Sequence, residues 1–256
     1  MKAIKDIRYF GFTDVGLKRK NNEDAYIIND ATASDAPEKK GMRLFAVADG
    51  IGGHSCGDQA SAMACRELKR LFSKSFSGPD AQSYVKQLED RLHDIDRFIR
   101  NAASNDPRCE HMGTTLSAML MVEDFGITAH VGDTRIYLLR NGRLTQLTCD
   151  HTIVQEMIDA GEISSDAAET HSLRNVLTRA VGTQEPLEQV ETRVLDLAVG
   201  DRYLISSDGL HKMISADEIA ATMISIRNPR QAGERLLRLA LANGGEGNIT
   251  GIIIYI

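Results

Sequence analysis

Hydrophobic and polar residues follow two different periods along this chain, and the change between them separates strands from helices. Short apolar runs of strand length come first, at 9–13, 25–28 and 44–48. Two stretches then repeat apolar residues every three or four positions, as amphipathic helices do. Their apolar faces are Ala60, Ala64, Leu68, Leu71 and Phe72 in the first, and Val85, Leu88, Leu92, Ile95 and Ile99 in the second.

The second half of the chain returns to strand-like runs and then adds further helices. Strands are predicted at 115–122, 127–131, 136–139, 144–147, 190–195, 203–206 and 251–256. Asn141-Gly142 is the sequence of a type I′ hairpin turn. Helix boundaries are predicted from an Asp150 N-cap with a stop at Gly161, a capping box of Ser215 and Glu218, and Asn228-Pro229 with Gly244.

The order of these elements predicts an α+β fold with a single domain over residues 1–256. Strands occur in runs with two consecutive helices between them, which favours packed antiparallel layers over a doubly wound parallel sheet. The chain has 5 prolines and no Ser/Gly-rich spacer, so no linker is indicated. The polar stretch at about 162–175 has no strong period and is predicted to be a flap.

Composition narrows the class of protein. With 256 residues, 42% of them hydrophobic, the chain has the material for a substantial core. A net charge of −6 without a basic stripe predicts no nucleic-acid or membrane partner. No apolar segment resembles a signal peptide or reaches membrane-spanning length, so a cytoplasmic location is predicted. The 4 cysteines have no paired spacing, so neither a zinc site nor a disulfide framework is predicted.

The run Asp49-Gly50-Ile51-Gly52-Gly53-His54 is the first candidate for chemistry. It follows the apolar residues 44–48, so a carboxylate is expected where a buried strand leaves the core. The glycines let the backbone turn sharply and approach a ligand closely. His54 is a proton donor or acceptor near neutral pH. This arrangement suits a hard cation held against a phosphate, whereas a Gly-rich turn with a surface aspartate is the simpler alternative.

Further acidic residues stand at other predicted strand ends: Glu23-Asp24, Asp133 and Asp208. Each alone is best explained as a turn residue, but carboxylates that converge from separate strands bind Mg²⁺ or Mn²⁺. A pair of such ions activates water and aligns a phosphate for displacement. Arg19 precedes the first acidic pair, and a guanidinium binds phosphate oxygens in a bidentate manner.

In these residues the chain resembles the metal-dependent protein phosphatases of the PPM, or 2C, type in their compact bacterial form. The resemblance covers about residues 11–256 and rests on six motifs in family order. They are Thr13-Asp14-Val15-Gly16 through Glu23-Asp24; Asp49 to His54; Met112-Gly113-Thr114-Thr115; Val131-Gly132-Asp133-Thr134-Arg135; Leu147-Thr148-Cys149-Asp150-His151; and Ser207-Asp208-Gly209-Leu210.

The resemblance implies a four-layer αββα sandwich, in which helices flank two antiparallel sheets, and hydrolysis of phosphoserine and phosphothreonine in proteins. It implies two or three Mn²⁺ or Mg²⁺ ions and, as partners, phosphoproteins with a cognate Ser/Thr kinase or its substrates in bacterial signalling.

The resemblance also assigns roles to single residues. Asp49 would bridge two metals, the Gly50 carbonyl would bind the second and Asp208 the first. Glu23 and Asp24 would hold the metals directly or through water, and Asp133 with Asp208 would hold a third, weaker ion. Arg19 would bind the substrate phosphate and His54 would protonate the leaving group, with Thr114 and Thr115 packed beneath. The predicted flap at 162–175 matches the variable flap of the family.

The chain departs from the family near its C-terminus. The family carries Asp-Asn-(Ile/Val)-Thr there, and its Asp binds the first metal, whereas this chain has Gly247-Asn248-Ile249-Thr250. Three readings stay open: a phosphatase with a weakened first-metal site, a substitution by Glu246 from one residue back, or a pseudophosphatase that binds phosphoproteins without hydrolysis. The longer side chain of Glu246 makes the second possible, but the pleat of a strand points neighbouring side chains apart. The first is favoured.

The remaining histidines and cysteines have ordinary explanations at this stage. His151 at a predicted helix start is expected to cap or pack, and no constellation is evident around His130 or His211. Cys109 and Cys149 are expected to be ordinary small side chains.

Overall fold

The computed structural model describes residues 6–31, 41–51, 56–74 and 78–256, and its strands form two antiparallel sheets. The strands are β1 Arg8–Asp14, β2 Asp24–Asp30, β3 Arg43–Ile51, β4 Gly113–Thr114, β5 Leu116–Val122, β6 Phe125–Val131, β7 Arg135–Arg140, β8 Arg143–Gln146, β9 Glu191–Asp196, β10 Arg202–Ser206 and β11 Ile249–Tyr255. One sheet has the order β1-β11-β10-β7-β8. The other has the order β2-β3-β5-β6-β9, with β4 paired to β3.

Seven helices lie within the described residues, and most of them cover the outer faces of the sheets. They are α1 Gly57–Lys74, α2 Ala81–Ser104, α3 Ile153–Asp159, α4 Ser165–Glu169, α5 Asp208–His211, α6 Ala216–Ser225 and α7 Pro229–Ala242. A 3₁₀ turn at Pro107–Cys109 follows α2.

Three hydrophobic clusters account for the layering. The apolar faces of α1 and α2 pack on the second sheet, and those of α6 and α7 pack on the first. The third cluster fills the space between the sheets, where Phe45 of β3 and Tyr203 of β10 are fully buried. The result is the αββα sandwich that the resemblance implies, with the antiparallel layers that the order of elements predicts. No helix in the described ranges combines the length and apolarity needed to cross a membrane.

The predicted strands and the α1 and α2 faces are confirmed, but several boundaries differ. β3 continues to Ile51 because Gly50 and Ile51 pair with β4, so Asp49 lies within the strand and not beyond it. The N-cap of α3 is Thr152, and the Asp150 prediction is wrong because its carboxylate instead binds Arg135. The segment predicted as a flap contains the short helix α4.

The expectation that the cysteines form no disulfide is wrong. Cys56, immediately before α1, is bonded to Cys109 of the 3₁₀ turn, with their Cα atoms 5.5 Å apart and a sequence separation of 53. Spacing along the chain misses such a pair because the tertiary fold brings the two residues together. The other cysteines are free, with Cys65 buried and Cys149 exposed.

Candidate metal centre

Asp24 and Asp49 are directly opposite each other on β2 and β3. The backbone of Asp49 is fixed from below, because its amide donates to Thr115 Oγ1 at 3.0 Å and its carbonyl accepts from Thr114 Oγ1 at 2.9 Å. The two threonines therefore lie beneath the site, as the resemblance implies, and hold the Asp49 backbone in one position.

Asp24 is further oriented by the other sheet. Ser207 Oγ donates to Asp24 Oδ2 at 2.7 Å, which ties β2 to the junction of β10 and α5. The second oxygen, Asp24 Oδ1, is buried and has no hydrogen-bond partner among the described residues. A buried carboxylate oxygen without a partner is costly, and a bound cation is one way to satisfy it.

Asp133 and Asp208 face each other across a lysine. Lys212 Nζ lies 2.6 Å from Asp208 Oδ2, 3.4 Å from Asp133 Oδ2 and 2.8 Å from Asn175 Oδ1. Asp208 begins α5, and Lys212 follows one turn later, so the two side chains meet on one face. No role is predicted for Lys212 from the sequence, in which its i, i+4 spacing from Asp208 is the one indication of this contact.

Burial and mutual repulsion shift the pKa values of these carboxyls. Burial raises the pKa of Asp49 well above its usual value, and the charges of Asp24, Asp208 and Asp133 raise it further. Burial also raises the pKa of Asp24 to about 6 against hydrogen bonds that favour its ionised form, with Asp208 adding to the rise. The pKa of Asp133 rises to about 6, from burial first and then from Asp208. These groups thus form one electrostatic cluster.

Gly247 borders this cluster beside Asp208 Oδ1, whereas Lys212 contacts Asp208 Oδ2. A Cβ atom built on Gly247 would lie 3.7 Å from Asp208 Oδ1 and 3.4 Å from the Gly209 Cα, which are ordinary contacts. The position thus has room for a side chain directed at Asp208. Glu246 is exposed. Both residues precede β11, so the argument from strand pleat does not apply here.

Asn248 holds the loop that carries Arg19. Its Nδ2 donates to the carbonyls of Val15 and Asn21, both at 2.9 Å, and its Oδ1 accepts from the Glu23 amide at 2.9 Å. Both ends of the loop are therefore fastened to one side chain. Arg19 itself is exposed. Sequence analysis noted Asn248 only as part of a motif and gave it no role.

Of the remaining predicted site residues, the structure describes Glu23 and Gly50 but not His54. Glu23 lies beside the start of α1, where a Cβ on Gly57 would be 3.2 Å from Glu23 Oε1. The Gly50 amide donates to the Glu23 carbonyl at 3.0 Å, and Gly50 approaches Gly57 so closely that a Cβ would lie 2.2 Å from its carbonyl oxygen. His54 lies outside the described residues.

A second group of ligand-type side chains, His130, His151 and Glu191, lies apart from the aspartates, with ligand atoms within 4.8 Å of one another. The sequence predicts no constellation around His130, and this expectation is wrong. Both rings are buried and stacked at 4.7 Å. His130 binds Ser117 and the Cys149 carbonyl through its two nitrogens.

His151 is engaged in the same way as its stacked neighbour. Its Nδ1 accepts from the Gly132 amide at 3.0 Å, and its Nε2 lies 3.3 Å from Arg179 Nη1. The nitrogens of both rings are thus in contact with protein groups. We read the group as structural, consistent with the predicted packing role of His151.

The donor set of the aspartate cluster fits a hard divalent cation. All candidate ligands are oxygens, at least one of them is buried without a partner, and the clustered carboxyls resist ionisation without a compensating charge. Mg²⁺ and Mn²⁺ select such all-oxygen sites.

Comparison with known proteins identifies the family. A sequence profile described as Protein phosphatase 2C matches residues 21–240. The chain is 37% identical over 244 residues to a putative protein phosphatase 2C-type of Streptococcus pyogenes, covering 95% of each chain. It superposes with a TM-score of 0.90 on the serine/threonine phosphatase Stp1 of Staphylococcus aureus, at 29% identity, covering 100% of this chain and 97% of that one.

A further structure bears on the metal. The catalytic domain of the serine/threonine protein phosphatase PstP in complex with 2 manganese ions matches with a TM-score of 0.82 at 32% identity, covering 97% of each chain. The fold, the profile and these relatives agree. The chain belongs to the protein phosphatase 2C family of metal-dependent serine/threonine protein phosphatases, which are hydrolases.

Proposed function

We propose that this protein hydrolyses phosphoserine and phosphothreonine in proteins with the help of Mn²⁺ or Mg²⁺ and that its first-metal site is weakened. The observation that carries the proposal is the convergence of Asp24, Asp49, Asp133 and Asp208 on one cluster, with Asp24 Oδ1 buried and unpartnered among the described residues. The comparison with PstP and its two manganese ions supports this assignment.

The residues that would hold the metals are Asp49, Asp208, Asp24, Glu23 and the Gly50 carbonyl. Bound there, the metals would supply an activated water and neutralise phosphate charge.

The protein's own groups would bind the substrate and move the proton. Arg19, presented by the loop that Asn248 fastens, would bind the phosphate oxygens in a bidentate manner. His54 would donate a proton to the departing alkoxide. The predicted flap at 162–175 would shape access for the phosphoprotein, and the protein would act opposite a Ser/Thr kinase in bacterial signalling.

The proposed weakness follows from Gly247. Where the family has an aspartate ligand, this chain has no side chain, although the position beside Asp208 Oδ1 has space for one. Loss of even an indirect metal contact commonly costs about 10–100-fold in metal affinity or activity. We therefore expect hydrolysis that needs millimolar Mn²⁺.

The test is hydrolysis of para-nitrophenyl phosphate and of a phosphothreonine peptide across a Mn²⁺ titration, with Asp49→Asn as the blank. Turnover that rises with metal and is lost in the blank supports the proposal. Absence of turnover at every metal concentration, in a folded protein, contradicts it.

A second candidate is a pseudophosphatase, favoured by the same Gly247. In that case a phosphopeptide would bind more tightly than its unphosphorylated form and would not be hydrolysed at saturating Mn²⁺. Equal affinity for both peptides would remove this candidate.

A further inference from the structure

Lys212 places a permanent positive charge where two metal-ligand candidates meet. Its ammonium contacts Asp208 and Asp133 on their Oδ2 atoms and is held by Asn175 as well. The Asp133 and Asp208 side chains are 9% and 31% exposed, and that of Lys212 is 32% exposed. Within the described ranges, no other lysine or arginine forms an ion pair with either aspartate.

The two oxygens of Asp208 face different neighbours. Oδ2 faces Lys212, whereas Oδ1 lies 3.7 Å from the position that a Cβ atom on Gly247 would take. The position where the departed ligand would stand and the position of the ammonium are therefore next to different oxygens of one carboxylate. A cation bound on the Gly247 side can use Oδ1, while Oδ2 is already taken.

We propose that the Lys212 ammonium is a built-in cation at the position between Asp133 and Asp208, so that this protein does not bind a third divalent ion there. The proposal rests on the proposed function, since it concerns the metal centre of that site. An ammonium at hydrogen-bond distance from both carboxylates occupies the space that an ion would need. It also repels any dication that approaches the same oxygens.

A tethered ammonium differs from a metal ion in what it can do. It offsets one of the two negative charges of Asp133 and Asp208 at every metal concentration. It has no open coordination position and cannot activate a bound water for reaction as a metal ion can. The contact of Lys212 with Asp133 and Asp208 is therefore structural. Any metal would bind at Asp49, Asp24 and Asp208 Oδ1.

The experiment counts Mn²⁺ ions bound to metal-stripped protein by titration calorimetry and by the electron paramagnetic resonance signal of free Mn²⁺. Lys212→Met keeps much of the side-chain volume and removes the charge. We expect it to bind one more Mn²⁺ equivalent in the millimolar range than the wild type. Lys212→Arg keeps the charge and should bind as the wild type does. Lys20→Met, which removes an exposed charge from the Arg19 loop, is the matched control.

An equal number of ions in the wild type and Lys212→Met, at equal affinity, would overturn the proposal. So would an extra ion in Lys20→Met, because it would show a general charge effect. The count does not depend on turnover, so it stands or falls separately from the phosphatase assay.

A second measurement needs no variant. Acetic anhydride acylates free lysine amines, and a lysine held by two carboxylates reacts slowly. Mass spectrometry of the wild type should show Lys212 less modified than Lys18 and Lys20, both without and with saturating Mn²⁺. Full exposure of Lys212 to the reagent on adding Mn²⁺ would mean that the metal displaces the ammonium, which contradicts the proposal.

Discussion

Restoring a carboxylate at position 247 is the sharpest test of the weakened first-metal site. The backbone of Gly247 is outside the left-handed region, and an added Cβ would meet only ordinary contacts, at 3.4 Å and 3.7 Å. The variant Gly247→Asp should therefore fold, and its carboxylate should lie near Asp208 Oδ1. An added oxygen ligand should lower the half-saturating Mn²⁺ concentration about 10–100-fold, or about 1.4–2.7 kcal/mol of binding free energy.

The same variant should change stability in opposite directions with and without metal. Two like charges about 4 Å apart repel by about 1 kcal/mol in water and by about 4 kcal/mol at an effective dielectric constant of 20. Without metal, Gly247→Asp should therefore unfold at lower urea than Gly247→Ala. Saturating Mn²⁺ should reverse that order, since the ion neutralises both carboxylates.

The assay is para-nitrophenyl phosphate hydrolysis against Mn²⁺, with Gly247→Ala as the control that adds the Cβ without a ligand. Glu246→Gln tests the alternative that the neighbouring glutamate already fills the position, and it should leave the Mn²⁺ requirement unchanged. If Gly247→Asp is folded but requires as much Mn²⁺ as Gly247→Ala, the idea of a missing ligand is refuted.

Three further predictions concern groups around the centre. Cys109→Ser removes a crosslink that closes a 53-residue loop and should lower the free energy of unfolding by roughly 4 kcal/mol in urea, whereas Cys149→Ser should change it little. Burial lowers the pKa of His130 to about 4, below its unfolded value, so the unfolded chain binds more protons between about pH 4 and 6.5 and stability falls as pH falls through that window. From pH 7 to 5 this loss is about 2 kcal/mol for His130 alone. Between pH 7 and 5, His130→Gln should therefore lose about 2 kcal/mol less stability than the wild type. An equal dependence of stability on pH in the variant and the wild type would contradict the reasoning. Asn248→Ala removes three hydrogen bonds to the Arg19 loop and should cost about 2–3 kcal/mol in urea, while raising KM more than it lowers kcat; an unchanged KM would argue against a role in phosphate binding.

Much of the aspartate cluster could be predicted because its carboxylates stand at turns or close to the ends of strands. The apolar run before Asp49 and the acidic pair before the second strand place Asp24 and Asp49 where two adjacent strands emerge. Once those strands pair, the register sets the two carboxylates opposite each other. The prediction needed only local patterns and the order of strands.

The residues that sequence analysis missed depend on contacts between distant segments. Asn248 joins residues 15–23 to the start of β11, and Cys56 meets Cys109 only after α1 and α2 have packed. Asp150 has the sequence of a helix cap, but the bidentate ion pair with Arg135 takes its carboxylate away from the helix. A local preference of about 1 kcal/mol yields to such a tertiary contact.

The two unusual residues of the centre act on the same carboxylate and in the same electrostatic direction. Gly247 leaves out a negative charge on the Oδ1 side of Asp208, and Lys212 adds a positive charge on the Oδ2 side. The remaining aspartates are crowded enough that Asp24, Asp49 and Asp133 all resist ionisation, so a fifth carboxylate without Lys212 would repel its neighbours still more. Lys212 and Gly247 thus both reduce the electrostatic repulsion among the carboxylates in the metal-free state. We therefore expect a lower metal affinity, because a dication gains less from a site that is already partly neutralised.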